Sequence, residues 1–324
     1  MKNIAVVTSG GDAPGMNAAV RAIVRAGSDA GLGVYGVHNG YEGLIAGDLR
    51  SLSNRDVSEI LHLGGTFLGT ARSREFRESE AARRQAVDKL RGQAIDGLIV
   101  IGGNGSQAGA NELNSMGLPV VGVASTVDND LYGSDITIGV DTAIDIIIES
   151  IDRIRTTAES HHRAFLVEVM GKSCGYLALA AGLAGGADVV VTPEFDIEPP
   201  EIMARLEAAH DRGKRYAIAV VTDGAKNNVA RCMEYFREHE DEAGFELRVT
   251  ILGHVQRGGA PTGFDRILAS RLGAAAVELL ASGKSGMLVG WCRGSVCLTP
   301  LSEVATHVRQ LDSEMRQLLD VMVR

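Results

Sequence analysis

The chain has 324 residues, 40 of them glycine, with 45% hydrophobic residues and a formal net charge of −9 from 32 basic and 41 acidic side chains. That apolar share excludes a disordered linker, and glycine without a strict period excludes a collagen-like fibre. The acidic balance excludes duplex nucleic acid or an anionic membrane as the main partner and leaves room for a small anionic substrate.

At roughly 150 residues per domain the length predicts about two domains. Met1-Lys2 leads straight into Ile4-Ala5-Val6-Val7, broken at Gly10-Gly11, which is too short for a secretory signal. No apolar run reaches about 18 residues, so the expected location is cytoplasmic. Cys174, Cys232, Cys292 and Cys297 are scattered and complete no zinc pattern, so they read as buried or inert thiols.

Short β-branched runs recur along the chain: Ile4 to Val7, Val34 to Val37, Leu98 to Ile101, Val120 to Val123, Phe165 to Val169, Val189 to Val191, Ala217 to Val221, Val249 to Leu252 and Met287 to Gly290. Most are separated by segments with helical apolar spacing, such as Met16, Ala19, Val20, Ile23 and later Ile144, Ile147, Ile148, Ile151. Strands apolar on both faces alternating with helices predict an α/β fold with largely parallel sheets. Ligands of such sheets bind at the carboxyl ends of strands, which draws attention to the polar stretches that follow certain runs.

The first run is followed by Gly10-Gly11-Asp12-Ala13-Pro14-Gly15 and an amphipathic helix. Free amides at a helix start suit phosphate, and an ordinary turn capped by Asp12 fits as well. Arg21 and Arg25 share one face of that helix and could together receive an anion. Gly103-Asn104-Gly105-Ser106-Gln107-Ala108 stands after a strand and before a helix, the context of a dinucleotide or nucleoside triphosphate loop. The letter match Gly31-Leu32-Gly33-Val34-Tyr35-Gly36 has the reverse context and reads as a helix end and turn. No P-loop sequence is present. Asp128 and Asp130 flank Asn129 after the fourth run, close enough to divide proton acceptance from metal-water contact, or simply a polar turn. Arg72 and Arg77 follow the glycine-rich Gly64-Gly65-Thr66-Phe67-Leu68-Gly69. His161, His162 and Arg163, and His254 with Arg257, lack ligand-spaced carboxylates and suit anion recognition, while Glu168 and Asp223 suit hydroxyls. Together these imply an anionic, polyhydroxylated ligand beside a nucleotide phosphate.

Thr8-Ser9-Gly10-Gly11-Asp12-Ala13-Pro14-Gly15-Met16-Asn17, Gly64 to Gly69, Thr126-Val127-Asp128-Asn129-Asp130, Val167-Glu168-Val169-Met170-Gly171 and Leu252-Gly253-His254-Val255-Gln256-Arg257-Gly258-Gly259 together carry a resemblance over nearly the whole chain. The sequence resembles the bacterial ATP-dependent 6-phosphofructokinases. That resemblance implies two doubly wound, largely parallel-sheet α/β domains: residues 1–139 with 252–302 for nucleotide, and 140–251 with 303–324 for sugar phosphate. It implies a kinase of glycolysis in which Asp128 takes the proton of the fructose 6-phosphate 1-hydroxyl as it attacks the γ-phosphoryl group of ATP. Thr126, Asp130, Gly11 and Lys172 share that centre, and Gly11, Arg72, Arg77, Gly102, Gly103, Asn104, Gly105 and Ser106 hold the nucleotide. Thr126, Asp128, Asp130, Glu168, Met170, Gly171, Asp223, His254 and Arg257 hold the sugar phosphate. Arg163 and Arg248 reach in from a neighbouring copy in a homotetramer. Arg21, Arg25, Arg155, Arg212 and Lys214 match the family's allosteric effector pocket, whereas Asn54 and Tyr216 do not.

The departures are chemical. Asn104 stands where the family usually has an aspartate that helps hold Mg²⁺, so the metal would rest on Asn104 and Asp130 with one negative charge fewer. Lys172 replaces an arginine, Asp223 a glutamate and Ser125 a glycine. Pyrophosphate-dependent relatives tend to carry aspartate at the position of Gly105 and lysine at that of Ser125, so small uncharged residues there favour ATP over pyrophosphate. Two further alternatives stand beside this reading: a nicotinamide-nucleotide dehydrogenase, prompted by Gly103 to Ala108, and a non-catalytic sugar-phosphate-binding regulatory subunit, prompted by Asn104.

Overall fold

The computed structural model describes residues 1–241, 243–311 and 313–323. They fall into two compact units, Met1–Thr142 with Arg257–Arg309, and Ala143–Gln256 with Gln310 onward. In chain order the elements are β1 (Asn3–Thr8), α1 (Met16–Asp29), β2 (Gly33–Val37), α2 (Gly40–Ala46), β3 (Leu49–Leu52), α3 (Arg74–Glu78), α4 (Glu80–Gly92), β4 (Gly97–Gly102), α5 (Asn104–Ser115) and β5 (Val120–Ala124). Then come α6 (Val140–His161), β6 (Arg163–Val169), α7 (Tyr176–Ala184), β7 (Val189–Val191), α8 (Pro199–Asp211), β8 (Ala217–Thr222), α9 (Val229–Glu238) and β9 (Glu246–Ile251). After a 3-10 turn (Gly253–Arg257) follow α10 (Gly263–Ala281), β10 (Met287–Cys292), β11 (Ser295–Pro300), α11 (Leu301–Val304) and α12 (Ser313–Met322).

In the first unit, seven strands among the described residues lie in the order β11-β10-β5-β4-β1-β2-β3. Pairing is parallel from β10 to β2 and antiparallel at both margins. β1 and β4 are buried along almost their whole length, which is what continuous Ile/Val runs require when helices cover both faces. The chain leaves β1 for β2 on one side and returns to β4 on the other, so the loops after β1 and β4 flank the switch point where such sheets bind ligands. The second unit holds an all-parallel sheet in the order β7-β8-β6-β9, with its core made by Leu166, Val189, Val191, Ala219 and Val221 against Ile202, Leu206, Cys232 and Phe236. The expected α/β class with two largely parallel sheets is what the chain adopts.

Local differences from the sequence reading have physical causes. β3 and β11 escape an apolar-run search because they are margin strands: β3 exposes the polar pair Arg50-Ser51, and in β11 the exposed Val296 and Leu298 are interrupted by Cys297 and Thr299. β9 begins at Glu246, ahead of the expected Val249, and alternates between exposed and half-buried side chains because it too is an edge. The cap of α1 is Gly15, with φ 104°, and not Asp12. Cys292 and Cys297 are not thiols: they form a disulfide across the β10–β11 hairpin. Its two-residue turn, Arg293-Gly294, has φ of 51° and 78°, the left-handed pair that tight hairpins need. Cys174 and Cys232 remain buried thiols.

In the first unit, Asp265 near the start of α10 is fully buried and accepts hydrogen bonds from the Gly139 amide (2.8 Å), the Thr142 amide (2.9 Å) and the Thr142 hydroxyl (2.6 Å). Burial nevertheless outweighs these bonds and pushes its carboxyl up to about 6. The native state therefore keeps a proton between about pH 4 and 6 that an unfolded carboxyl near 3.9 has released, so stability falls as pH rises through that window and is flat above it. Denaturant unfolding of the parent at pH 4 and 6 is expected to show a loss of order 1–3 kcal/mol that Asp265→Asn lacks. Parallel pH dependence in the two proteins would exclude this carboxyl as the source.

Candidate active site

In the first unit, the loop after β1 is held by side chains from two others. Thr8 Oγ1 lies 2.7 Å from Thr66 Oγ1 and donates to the Gly69 carbonyl at 2.9 Å, and Thr70 Oγ1 donates to the Gly10 carbonyl at 2.8 Å. Asn17, buried on α1, donates to the Leu63 and Gly64 carbonyls and accepts the Phe67 amide at 2.6 Å. Ser106 Oγ donates to the Ser9 carbonyl at 2.9 Å, and Gln107 donates to the carbonyls of Val100, Gly102 and Val123. The loops after β1 and β4 and residues 63–70 are thus one hydrogen-bonded body.

Of the residues expected to hold nucleotide, Gly102 to Ser106 run from the end of β4 into the first turn of α5, with Asn104 and Gly105 exposed. The amide ends of α5 point where an anion is stabilised. Arg72 is exposed after the Gly64 to Gly69 loop, and Arg77, on α3, is exposed with a 3.5 Å ion pair to Glu78. Gly11 is approached closely: a Cβ there would stand 2.7 Å from Arg257 Nη1. Arg257 is 9% exposed and its Nε is buried without a hydrogen-bond partner. The structure therefore places Arg257 against the β1 loop of the first unit, whereas His254, its expected companion, belongs to the second.

The carboxylate pair follows β5. Asp128 and Asp130 are half-buried on either side of fully buried Asn129. Asn129 has a left-handed backbone, φ 51°, which costs a non-glycine residue of order 1 kcal/mol and persists only where neighbours enforce it. Its Oδ1 accepts from the Thr137 amide (3.1 Å) and hydroxyl (3.3 Å), and its Nδ2 donates to the Asp135 carbonyl at 3.2 Å. The Thr126 carbonyl accepts the Thr137 hydroxyl at 2.6 Å, the Asp128 amide bonds Thr126 Oγ1 at 3.3 Å, and Asn104 Nδ2 reaches the Asp130 carbonyl at 3.4 Å. Thr126, Asp128, Asp130 and Asn104 are thereby brought into one assembly. No group of three or more His, Cys, Asp or Glu side chains among the described residues is arranged to hold a metal ion.

In the second unit, the carboxyl ends of β6, β8 and β9 gather Glu168, Met170, Gly171, Lys172, Asp223 and His254. The Lys172 amide, at φ 27°, donates to Asp223 Oδ1 at 2.8 Å. Buried Gln256 accepts the Met170 amide at 3.2 Å and donates to the Gly253 carbonyl at 2.9 Å. Burial first, and then the Asp223 carboxylate, push the Glu168 carboxyl above its ordinary range. Arg163 and Arg248 stand elsewhere. Arg163 begins β6, six residues before its carboxyl end, about 20 Å along the strand. Both arginines hydrogen-bond the Glu246 carboxylate.

The expected effector cations divide likewise. Arg21, with Nε buried and unpartnered, and exposed Arg25 are on α1 of the first unit. In the second, Arg155 bonds the Gly185 carbonyl and pairs with Asp152 at 3.1 Å, Arg212 donates to the Val323 carbonyl at 3.3 Å, and Lys214 meets the buried Asp188 carboxylate at 2.5 Å. Asn17, Asn129, Gln256 and Arg309, which donates to the Asn129 carbonyl, were not among the sequence candidates. Asn17 did carry a signal, a polar residue on the apolar face of α1.

Residues 3–280 match the family described as Phosphofructokinase. The chain is 51% identical over 324 residues to the ATP-dependent 6-phosphofructokinase 1 of Thermus thermophilus, covering 99% of each. It is 48% identical over 318 residues to the ATP-dependent 6-phosphofructokinase of Halalkalibacterium halodurans, covering 98% of each. Its fold superposes on phosphofructokinase from Saccharomyces cerevisiae with TM-score 0.87 at 38% identity, covering all of this chain and 47% of that one. With switch-point loops, a carboxylate pair after β5 and a family match over most of its length, this chain belongs to the phosphofructokinase family.

Proposed function

We propose that the protein is an ATP-dependent 6-phosphofructokinase, transferring the γ-phosphoryl group of ATP to the 1-hydroxyl of fructose 6-phosphate in glycolysis. The observation that carries this reading is 48–51% identity over 98–99% of the chain to relatives named for that activity. Phosphoryl transfer asks a protein chiefly for positioning and charge stabilisation, and the first unit has the parts. Asp128 accepts the hydroxyl proton as the new O–P bond forms and the bond to the ADP oxygen breaks, with Thr126 and Asp130 beside it. Gly11, Arg72, Arg77 and Gly102 to Ser106 take the nucleotide. Arg257, whose guanidinium lies beside Gly11, takes part in holding the sugar phosphate.

In the second unit Glu168, Met170, Gly171, Asp223 and His254 take the sugar phosphate, with Lys172 nearby. Arg163 and Arg248, set back from that group along β6 and β9 of the same sheet, serve a neighbouring copy in a homotetramer. Arg21, Arg25, Arg155, Arg212 and Lys214 receive an anionic effector. The donor chemistry fits Mg²⁺ arriving on the nucleotide: Asn104 turns its amide nitrogen to the Asp130 carbonyl, which leaves its oxygen for a metal-bound water, and Asp130 adds a carboxylate. Such an ion keeps several waters and needs few protein ligands; when bound it offsets phosphate charge. No described helix is long and apolar enough to cross a membrane, in keeping with a cytoplasmic enzyme.

A coupled assay with fructose 6-phosphate, Mg²⁺ and either ATP or pyrophosphate tests the reading. Turnover with ATP is expected. Turnover with pyrophosphate alone overturns the donor assignment, and binding without any turnover makes the chain a sugar-phosphate-binding subunit.

A further inference from the structure

The loop that carries Asp128 and Asp130 is pinned from two sides within the first unit. On one side the Asn129 side chain is held by three hydrogen bonds to Thr137 and Asp135. On the other, Arg309 Nη1 donates to the Asn129 main-chain carbonyl at 3.1 Å. Arg309 lies five residues beyond α11, far from β5 in sequence. A second contact ties the same segment to the same loop: the His307 ring stacks on Tyr132, with centroids 4.9 Å apart and planes 26° from parallel. The left-handed Asn129 has no glycine-like freedom, so its peptide stays in place only while both sides are held. Its carbonyl belongs to the peptide that joins it to Asp130, and its amide to the peptide from Asp128. Rotation of the Asn129–Asp130 peptide changes ψ of Asn129 and φ of Asp130, and the backbone that carries Asp128 and Asp130 on either side must adjust to it.

We propose that Arg309 is a positioning residue for phosphoryl transfer, fixing the Asn129 peptide and through it the aim of the Asp128 carboxylate. This rests on Asp128 as the base. A planar guanidinium is suited to the task because its N–H directions are fixed and its charge strengthens a bond to a carbonyl. The bond that Arg309 makes to this loop ends on a main-chain oxygen, so its loss acts on the course of the backbone between the two carboxylates. A misplacement of about 1 Å can cost about 10²-fold in rate.

The test compares Arg309→Ala, Arg309→Gln and Arg309→Lys with Asp128→Asn by steady-state kinetics with ATP and fructose 6-phosphate, alongside thermal unfolding. Arg309→Ala is expected to lose about 10- to 100-fold in kcat while both KM values stay near the parent's. Arg309→Lys, keeping a cationic donor, and free guanidinium added to Arg309→Ala are each expected to restore part of the loss. If the alanine variant unfolds early, the glutamine variant, which keeps a planar N–H donor, is read in its place and is expected to fall between parent and alanine. Parent-like kcat in Arg309→Ala, a loss confined to KM, or a loss that neither lysine nor guanidinium relieves would overturn the proposal. Failure of the base assignment is separate: it appears as substantial turnover in Asp128→Asn, whatever the Arg309 variants do.

Discussion

Asp128→Asn is expected to lower kcat by about 10²–10⁴-fold, the usual worth of a positioned proton acceptor, with little change in either KM. The amide matches the carboxyl in shape, and Oδ1 of Asp128 is shut off from solvent, so the variant keeps the packing and loses the basicity. The sugar 1-hydroxyl is a poor nucleophile while it keeps its proton. Removing the acceptor therefore acts on the chemical step, which steady-state kinetics with both substrates saturating isolates. Asp130→Asn is the natural comparison, because it removes a neighbouring charge while leaving the acceptor. A variant at position 128 that keeps more than about a tenth of parental kcat would place the proton elsewhere, since general-base losses of that size are too small for the sole acceptor.

Gly105→Asp is expected to abolish most ATP turnover without harming the fold. A Cβ at Gly105 meets nothing within 4 Å, and the residue sits in the first turn of α5, where a carboxylate improves the helix dipole. Unfolding temperature should accordingly equal or exceed the parent's. The new charge would face nucleotide phosphate, and like-charge juxtaposition costs several kcal/mol, about 10²-fold or more in kcat/KM for ATP. Pyrophosphate use should not follow from this change alone. Ser125 is fully buried, with Oγ 3.4 Å from the Ile138 carbonyl, and a lysine there needs room that the loop does not offer. Undiminished ATP turnover in a folded Gly105→Asp protein would remove this turn from the nucleotide site.

The parallel strands and the loops that follow them were legible because period and burial coincide. A run such as Leu98-Ile99-Val100-Ile101 is apolar on both sides since helices cover both faces, and a bare glycine turn after it can serve only a close approach of backbone. The margins were not legible. Val296 and Leu298 on β11 are exposed, so nothing in their pattern separates them from loop, and the disulfide that ties this hairpin was hidden with it. Asp128 and Asp130 stood out as carboxylates, whereas what aims them did not. Asn129 reads as turn filler until its left-handed backbone and three side-chain bonds are seen, and Arg309 reads as one more surface cation. Long-range partners of a main-chain carbonyl leave no local trace, because any donor in any later segment can supply them. The split of Arg257 from His254 was invisible for a related reason: only two residues of one 3-10 turn separate them, and the division depends on how each unit packs.

Trp291 is the chain's single tryptophan, and its place at the end of β10 gives it a use. Its amide donates to Ser134 Oγ at 2.9 Å, its carbonyl accepts the Asp135 amide at 2.7 Å, and the Arg271 guanidinium lies over its ring at 5.2 Å. Asp135 in turn holds Asn129. Indole emission from this protein is therefore a built-in local reporter, sensitive to the hairpin and to the loop of Asp128 and Asp130 in the first unit. An unfolding curve followed by fluorescence reports from a residue of the first unit, and its comparison with far-ultraviolet dichroism, which weighs both units, tests whether the two melt together.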